Sequence, residues 1–228
     1  MKEKATALDN ILKGTGVDEI GVVRLKAWKD TPLWKRARRL LPTAEAVIVL
    51  ALEVFPEVVE HQTSQARVGG GTLRDLYNRN AELVNGEIDW EAYKIVKKLH
   101  TLGYKGLPMP ASGGPFDGRF LKSALSYKEV ACAAGLGVLG WHSMLITPVY
   151  GPRIRLSCVI TDAPLEPTPS SNTKPPCVEC DGACIKICPV SAIEKPQDNE
   201  TYRINKYTCN NYCTAAGGCA ECMKVCLT

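Results

Sequence analysis

The chain has 228 residues, of which 45% are hydrophobic and 23% are charged, a balance typical of a folded soluble protein and not of a disordered one. The formal net charge is +4 and the Lys and Arg residues are scattered, so charge does not indicate a nucleic-acid partner. The longest apolar run, residues 46–52, is far shorter than the roughly 20 residues of a membrane span. Because residues 1–14 mix charged and apolar positions, we expect no export leader and predict a cytoplasmic protein.

The first part of the chain alternates between helical and extended patterns. Apolar residues recur at helical spacing before Gly14 and again before Pro42, and a short apolar run follows each of these breaks. The uninterrupted run at 46–52 indicates a central, buried strand. The pattern therefore predicts helices at 5–12 and 34–41 and strands at 20–25 and 46–52.

The middle of the chain predicts two helices separated from each other and flanked by loops. Residues 68–72 (VGGGT) resemble a phosphate-binding loop but lack its Gly-Lys-Ser/Thr ending, so a flexible turn is expected there. Helices are predicted at 73–84 and 90–102, the second with an apolar face formed largely by Trp90, Tyr93, Ile95, Val96 and Leu99. Residues 106–115 contain so many Pro and Gly that a pocket-lining loop is expected.

A glycine-rich turn follows the next predicted helix, at 127–134. Gly135, Gly137 and Gly140 stand between this helix and an apolar strand predicted at 144–146. Glycine lets the backbone approach another group closely, and that group is either a bound cofactor or the neighbouring part of the same chain. Both interpretations remain open at this point.

The domain organisation is marked by a Pro-rich stretch. A strand is predicted at 154–161, and residues 162–176 then hold five prolines among Ser, Thr and Asn, as in a linker of restricted flexibility. We therefore predict a first domain at 1–163, a linker at 164–176 and a small domain at 177–228.

The last 52 residues hold nine of the 11 cysteines. The first four follow the spacing C-x2-C-x3-C-x3-C-P, one residue longer than the run of bacterial two-cluster ferredoxins, and Gly182 is the residue that could absorb the extra length. The last three repeat C-x2-C-x3-C. An odd cysteine count argues against a disulfide framework, and this spacing favours iron-sulfur clusters over zinc, which is the serious alternative.

Two-cluster ferredoxins use the fourth cysteine of each run on the other cluster, so crossed ligand sets are expected. One [4Fe-4S] cluster would take Cys177, Cys180, Cys184 and Cys226. The other would take Cys188, Cys219 and Cys222 with either Cys209 or Cys213. Clusters of this kind carry single electrons.

Residues 128–141 (KEVACAAGLGVLGW), 144–148 (MLITP), 150–153 (YGPR) and 159–167 (VITDAPLEP) together resemble the core of the epoxyqueuosine reductase and reductive dehalogenase superfamily. Residues 41–54 are similar to the second strand of that superfamily. The resemblance also favours Cys209 over Cys213 as a ligand, because the superfamily has an isolated cysteine followed by a Tyr, here Tyr212.

The resemblance implies an α+β fold in which a degenerate nitroreductase-like domain precedes a small bacterial-type two-cluster ferredoxin domain. It also implies base-off cobalamin as a cofactor beside the two [4Fe-4S] clusters. The cobalamin would lie against the glycine turn, with Gly135, Gly137, Gly140 and Trp141 as cofactor-binding residues. In such proteins the cofactor supplies the chemistry and the chain binds, orients and delivers electrons.

The chain departs from this superfamily at several positions. Residues 120–125 lack the acidic residue proposed as the proton donor of epoxyqueuosine reductases, and Trp141 replaces a Lys or Arg. The sequence stops two residues after Cys226, so we expect a short form without the C-terminal helical repeats. The catalytic residue stays unassigned, with Tyr127, Lys128 and His142 as candidates that each have an ordinary structural role as the alternative.

The leading hypothesis is an iron-sulfur oxidoreductase whose clusters deliver single electrons to a corrinoid or substrate site in the N-terminal domain. Its expected partners are a low-potential donor of the ferredoxin or flavodoxin type and a small-molecule substrate, with no nucleic acid. The alternative is a non-catalytic electron-transfer or binding protein without cobalamin. Modification of tRNA is the third and least favoured hypothesis.

Overall fold

The computed structural model describes residues 10–61, 70–112, 116–169 and 174–226, which form a mixed α/β protein. Its strands are β1 (Glu19–Arg24), β2 (Ala46–Glu53), β3 (Gly106–Met109), β4 (Phe116–Asp117), β5 (Lys122–Ser123), β6 (Val138–Leu139), β7 (Leu145–Ile146), β8 (Ile154–Thr161), β9 (Ile193–Glu194) and β10 (Arg203–Ile204). Its helices are α1 (Pro32–Leu40), α2 (Pro56–His61), α3 (Gly70–Thr101), α4 (Tyr127–Ala133), α5 (Ala183–Ile187), α6 (Lys206–Ala215) and α7 (Glu221–Lys224). A 3-10 turn, Leu25–Trp28, follows β1, and residues 10–13 are helical.

Four strands form the main sheet in the order β1-β2-β8-β3. Strand β2 is an interior strand of this sheet, and residues 46–51 are fully buried, as their uninterrupted apolar run predicted. Strand β1 pairs antiparallel with β2, with Val22 opposite Ile48, and β3 pairs antiparallel with β8, with Pro108 opposite Val159. Pro108 is tolerated because β3 is an edge strand, where a missing N–H need not break the sheet.

The core of the sheet is covered by the second half of α3. Ile88, Ala92, Ile95 and Leu99 recur at helical spacing and pack with sheet residues that include Ile48. The sequence interpretation of this face was partly wrong, because Trp90 and Tyr93 are 56% and 44% exposed and stack on each other. The second half of α3 thus buries Ile88, Ala92, Ile95 and Leu99 and presents Trp90 and Tyr93 to solvent.

Two sequence predictions differ from the structure in the middle of the chain. Residues 70–72, expected in a flexible turn, begin α3, which continues through the predicted break between 84 and 90 as one helix of 32 residues. Gly86 alone does not end it, since a glycine costs a helix only about 1 kcal/mol relative to Ala. Residues 106–109, expected in a loop, form β3 because β8 supplies their hydrogen-bond partners. Residues 68, 69 and 113–115 of these two predictions lie outside the described ranges.

The chain divides into two compact units that are discontinuous in sequence. The first unit comprises Met1–Leu52, Asn85–Leu136 and Arg155–Ser171, and the second comprises Glu53–Val84, Gly137–Ile154 and Asn172–Thr228. The second unit therefore combines the cysteine region with two earlier segments, one of which includes β6 and β7. The linker predicted at 164–176, with a separately folding domain on either side, remains a prediction.

The Pro-rich stretch after β8 is held against the first unit. Ala163 and Leu165 are buried in its core, and the backbone N–H of Thr168 donates to the Val22 carbonyl at 3.1 Å. The Val22 N–H in turn donates to the Thr168 hydroxyl at 3.2 Å, and that hydroxyl also hydrogen-bonds to the Ala134 carbonyl. The described beginning of the predicted linker is thus pinned to β1. None of the helices in the described ranges combines the length and apolarity needed to cross a bilayer.

Candidate metal centres and the glycine turn

The first cysteine run lies on a tight turn and a short helix in the second unit. Cys177 and Cys180 precede α5, Cys184 lies within it, and Cys188 ends it in an extended conformation. A second antiparallel pair, β9 with β10, connects this run to the remaining cysteines. The two runs meet where α5 packs against α7.

Gly182 gives the first run its unusual geometry. Its φ is +64° and that of Asp181 is +50°, so two successive residues are left-handed immediately before α5. A Cβ on Gly182 would lie 3.0 Å from both the Trp141 ring and the Ile185 side chain. This turn accommodates the extra residue of the run, and it requires glycine for its backbone conformation and for space.

One set of thiols consists of Cys177, Cys180, Cys184 and Cys226. Burial raises the pKa of Cys184 to about 11, and the neighbouring Cys177 and Cys180 add to it. Burial raises the pKa of Cys226 to about 12, with further contributions from Cys177, Cys184 and Cys180. Cys226 is therefore far from Cys177, Cys180 and Cys184 in sequence but close to them in the structure.

A second set surrounds Cys222. Burial raises its pKa to about 12, and Cys219, Cys209, Cys184 and Cys188 contribute in that order. Three of these four, with Cys222 itself, are the other expected ligand set. Because Cys184 belongs to the first set, the two sets adjoin within this unit.

Cys209 and Cys213 lie one helical turn apart on α6, and their side chains interact. This contact lowers the pKa of Cys209 below its usual value, against the effects of burial and of Cys219. Contacts with Cys209 and then with Cys219 raise the pKa of Cys213 far above its usual value. Both thiols therefore lie close to Cys219, and Cys209 as the ligand stays a prediction.

The environment of these thiols suits an iron-sulfur cluster. Backbone N–H groups donate to two of the sulfurs, from Trp141 to Cys177 at 3.4 Å and from Ala192 to Cys188 at 3.2 Å. The sulfurs pack within an apolar cluster that includes Trp141, Ile146, Ile185, Ile193 and Val225. Such N–H···S bonds and shielding from water are the means by which proteins set cluster potentials. The sequence pattern did not reveal these donors, because they come from outside the cysteine runs.

Among the described residues, no three His, Cys, Asp or Glu side chains converge closely enough to hold a single metal ion. Thiols around a four-iron cluster lie farther apart than the ligands of one zinc ion, each of which is about 2.3 Å from the metal.

Trp141 connects the glycine turn to the first cysteine run. Its side chain is 9% exposed, packs against Gly182 and has the Lys195 amine 6.0 Å from its ring centroid. A cation over an indole face is a favourable contact. Lys195 therefore places a positive charge beside a residue that stands where the similar superfamily has Lys or Arg.

The glycines of the turn serve contacts within the chain. Gly135 has φ +77° and lies directly after the C-cap of α4, where the Leu136 N–H donates to the Ala131 carbonyl at 3.0 Å. A Cβ on Gly137 would lie 2.2 Å from the Ile146 carbonyl oxygen, and one on Gly140 would lie 2.7 Å from Ile146 and His142. Close packing in the β6-β7 hairpin thus accounts for Gly137 and Gly140.

The three candidate catalytic residues fall in different units. Tyr127 and Lys128 belong to the first and His142 to the second. The Tyr127 hydroxyl donates to the Pro110 carbonyl at 2.9 Å, and burial, with Cys158 and Asp89, raises its pKa well above the usual value. His142 is buried, and its Nδ1 accepts from the Met144 N–H at 3.1 Å. The contacts of Tyr127 with Pro110 and of His142 with Met144 stabilise the local fold.

No protein-family model matches the chain. The tetrachloroethene reductive dehalogenase of Dehalobacter restrictus is 29% identical over 238 aligned positions, which cover 96% of this chain and 38% of that protein. The chain thus spans less than half the length of this relative.

Solved structures show the same fold. A reductive dehalogenase described as carrying out B12-dependent dehalogenation superposes with a TM-score of 0.70 at 17% identity, over 92% of this chain and 30% of that one. An epoxyqueuosine reductase in complex with a tRNA-Tyr stem loop gives a TM-score of 0.58 at 19% identity, over 99% of this chain and 64% of that one. The sequence resemblance is confirmed: the chain is similar, over nearly its whole length, to the superfamily of reductive dehalogenases and epoxyqueuosine reductases, whose named members are reductive enzymes.

Proposed function

We propose that this chain is the electron-delivering part of a reductive enzyme, with two [4Fe-4S] clusters held by crossed sets of cysteines. The first set is Cys177, Cys180, Cys184 and Cys226, and the second is Cys188, Cys209, Cys219 and Cys222. The observation that carries the proposal is that Cys222 and Cys226 pack in one cluster with Cys177, Cys184 and Cys188 of the first run. Crossing of this kind is typical of two-cluster ferredoxins.

The clusters would supply single electrons, and the chain supplies their surroundings. The eight thiols bind as thiolates, and the N–H groups of Trp141 and Ala192 stabilise charge on two of the sulfurs. The apolar cluster around Trp141 and Ile193 excludes water from the first run. Electrons would come from a low-potential donor of the ferredoxin or flavodoxin type.

The electron acceptor in this proposal is a corrinoid or a small substrate in an N-terminal domain of degenerate nitroreductase-like fold. Support comes from the similarity to a protein described as B12-dependent and from the motif at 128–141. Gly135, Gly137, Gly140 and Trp141 are the proposed cofactor-binding residues. The space beside Gly137 and Gly140 is already occupied by residues of the β6-β7 hairpin. The presence of glycine at these two positions therefore does not by itself indicate a surface for the corrin ring.

Anaerobic purification with iron, sulfide and zinc assays tests the cluster half of the proposal. We expect about eight irons and eight sulfides per chain. Zinc in place of iron, or fewer than about six irons, would contradict it. Titration of cob(II)alamin tests the corrinoid half, and the absence of a shift to the base-off spectrum would overturn it while leaving the cluster half intact.

A non-catalytic electron-transfer protein is the second candidate function. The contacts of Tyr127 with Pro110 and of His142 with Met144 favour it, because the Tyr127 hydroxyl and the His142 Nδ1 are each hydrogen-bonded to backbone groups of the chain. In that case cobalamin would not bind and the clusters would still undergo reversible one-electron reduction. Modification of tRNA would require RNA affinity that falls steeply with salt.

A further inference from the structure

A basic cavity of about 300 Å³ lies in the first compact unit, where the 3-10 turn after β1 meets α1. Neither the cysteine sets nor the glycine turn contributes to its walls. The side chains that matter for its chemistry are those of Arg24, Lys26, Lys29, Trp34, Arg38 and Glu45.

Positive charge dominates this cavity. Four cationic side chains line it against one carboxylate, that of Glu45. Arg24 is partly neutralised, because its Nη1 lies 3.5 Å from the Glu166 carboxylate, itself exposed to solvent. The amines of Lys26 and Lys29 belong to exposed residues and can turn toward a ligand. A concave site with one sign of charge concentrates ligands of the opposite sign.

Arg38 adds a positive charge that is held in a fixed orientation. Its Nη1 donates to the Pro42 carbonyl at 2.7 Å, and its guanidinium lies over the Trp34 ring, 5.7 Å from the centroid. Because these two contacts hold the planar guanidinium where Arg38 lines the cavity, it loses little freedom when it binds an anion.

We propose that this cavity binds a compact organic phosphate. A phosphate monoester carries close to two negative charges and three acceptor oxygens. One guanidinium and two mobile amines therefore match a phosphate ligand better than they match a ligand with a single carboxylate. The Trp34 indole and the buried Leu25 and Ala44 give the cavity an apolar wall for the organic group. The volume is at the lower end of the range for small-molecule sites, so a compact ligand is expected.

Isothermal titration of the anaerobically purified chain with phenyl phosphate, benzoate and inorganic phosphate tests this site. At constant ionic strength we expect phenyl phosphate to bind most tightly. Lys29→Ala should weaken it by about threefold to tenfold and Arg38→Gln by about tenfold or more, since each removes one charged contact. Lys97→Ala is the matched control, because it removes an exposed lysine of the same unit. Lys97 lies over the Tyr93 ring, as Arg38 lies over the Trp34 ring.

Arg38→Gln also removes the contact with Pro42, so the melting temperature of this variant is measured to check its fold. If that temperature is lowered, the double variant Lys26→Ala with Lys29→Ala, which changes only exposed side chains, is used for the binding test instead. Equal weakening by Lys97→Ala would overturn the proposal, as would benzoate binding as tightly as phenyl phosphate. Binding of a short single-stranded oligonucleotide that phenyl phosphate cannot displace would replace the proposed ligand with a nucleic acid.

Discussion

The side chains of Cys213 and Cys209 interact, one helical turn apart on α6. Cys213 also interacts with Cys219, so it lies between two sulfurs of the proposed second set. The preference for Cys209 as the ligand comes from the resemblance at Tyr212, because a cluster ligand and its neighbour are both close to Cys219. Substitution of each cysteine in turn distinguishes their roles.

We predict that Cys213→Ala retains about eight irons per chain, whereas Cys209→Ala retains about four. The physical reason is that Cys209 belongs to the proposed second set, whereas Cys213 only contacts it. Iron and sulfide assays on both variants check this, with Cys132→Ala, a partly buried cysteine outside the two runs, as the control. Loss of iron from Cys213→Ala alone would reverse the assignment.

Crossed ligation predicts a specific pattern in double variants. Cys180→Ala and Cys226→Ala should each remove about four irons, and their combination should remove no more, because both belong to one cluster. Cys180→Ala combined with Cys222→Ala should remove about eight, since the two residues belong to different clusters. Sequential sets would place Cys180 in one cluster and both Cys222 and Cys226 in the other, so both double variants would lose about eight irons. Equal losses in the two double variants would therefore contradict the crossed sets.

Two glycine substitutions are predicted to change stability in opposite directions. Gly182→Ala should lower the free energy of unfolding by about 1–2 kcal/mol, because φ is +64° and the new Cβ meets Trp141 and Ile185 at 3.0 Å. Gly86→Ala should raise it by about 0.5–1 kcal/mol, because Gly86 lies inside α3 with no atom within 4 Å of an added Cβ. Thermal or denaturant unfolding checks both, and a shift in the same direction would refute the argument.

Asp89 predicts a pH dependence outside the cysteine region. Burial raises its pKa above 3.8 even though its Oδ1 accepts from the Ala111 N–H at 2.7 Å. The folded state therefore favours the protonated form, and this contribution is complete below 3.8 and is lost as pH rises through the folded pKa. The stability of Asp89→Asn relative to the parent protein should increase with pH across that window.

Unfolding titrations from about pH 2 to about pH 7 measure this difference, with the change for Asp89 above pH 3.8 and that for Asp117 below it. Asp117→Asn provides a control of opposite sign, because the Arg119 guanidinium holds the Asp117 pKa below its usual value. For Asp117 the parent protein loses stability as pH falls through the lowered pKa. Parallel curves for the two variants would contradict the assignment of both carboxylates.

The sequence predicted elements best where a single local pattern decided the structure. Strand β8 begins and ends at the predicted residues, and β2 is buried as its apolar run indicated. Prediction failed where tertiary contacts outweighed local propensity. Gly70 begins α3, Gly86 does not interrupt it, and Pro108 lies in a strand because β8 pairs with that edge.

The cysteine sets show the same division. Spacing indicated clusters and crossed ligation, and the structure brings Cys226 near the first run and Cys222 near Cys188. Spacing could not indicate that Trp141 and Ala192 donate to the sulfurs or that residues 137–154 share a compact unit with them. Those contacts depend on how segments distant in sequence pack together, and neither the cysteine spacing nor the pattern of apolar residues indicates them.

The hydrogen bonds between Thr168 and Val22 have a consequence for self-association. Strand β1 is an edge of the main sheet, and an unpaired edge strand offers its N–H and C=O groups to a strand of another molecule. By occupying both backbone groups of Val22, Thr168 blocks this edge at its middle. We therefore expect the Pro-rich stretch to oppose intermolecular β-pairing. Thr168→Ala would keep the backbone bond to the Val22 carbonyl but remove the acceptor of the Val22 N–H, and so would weaken this cover.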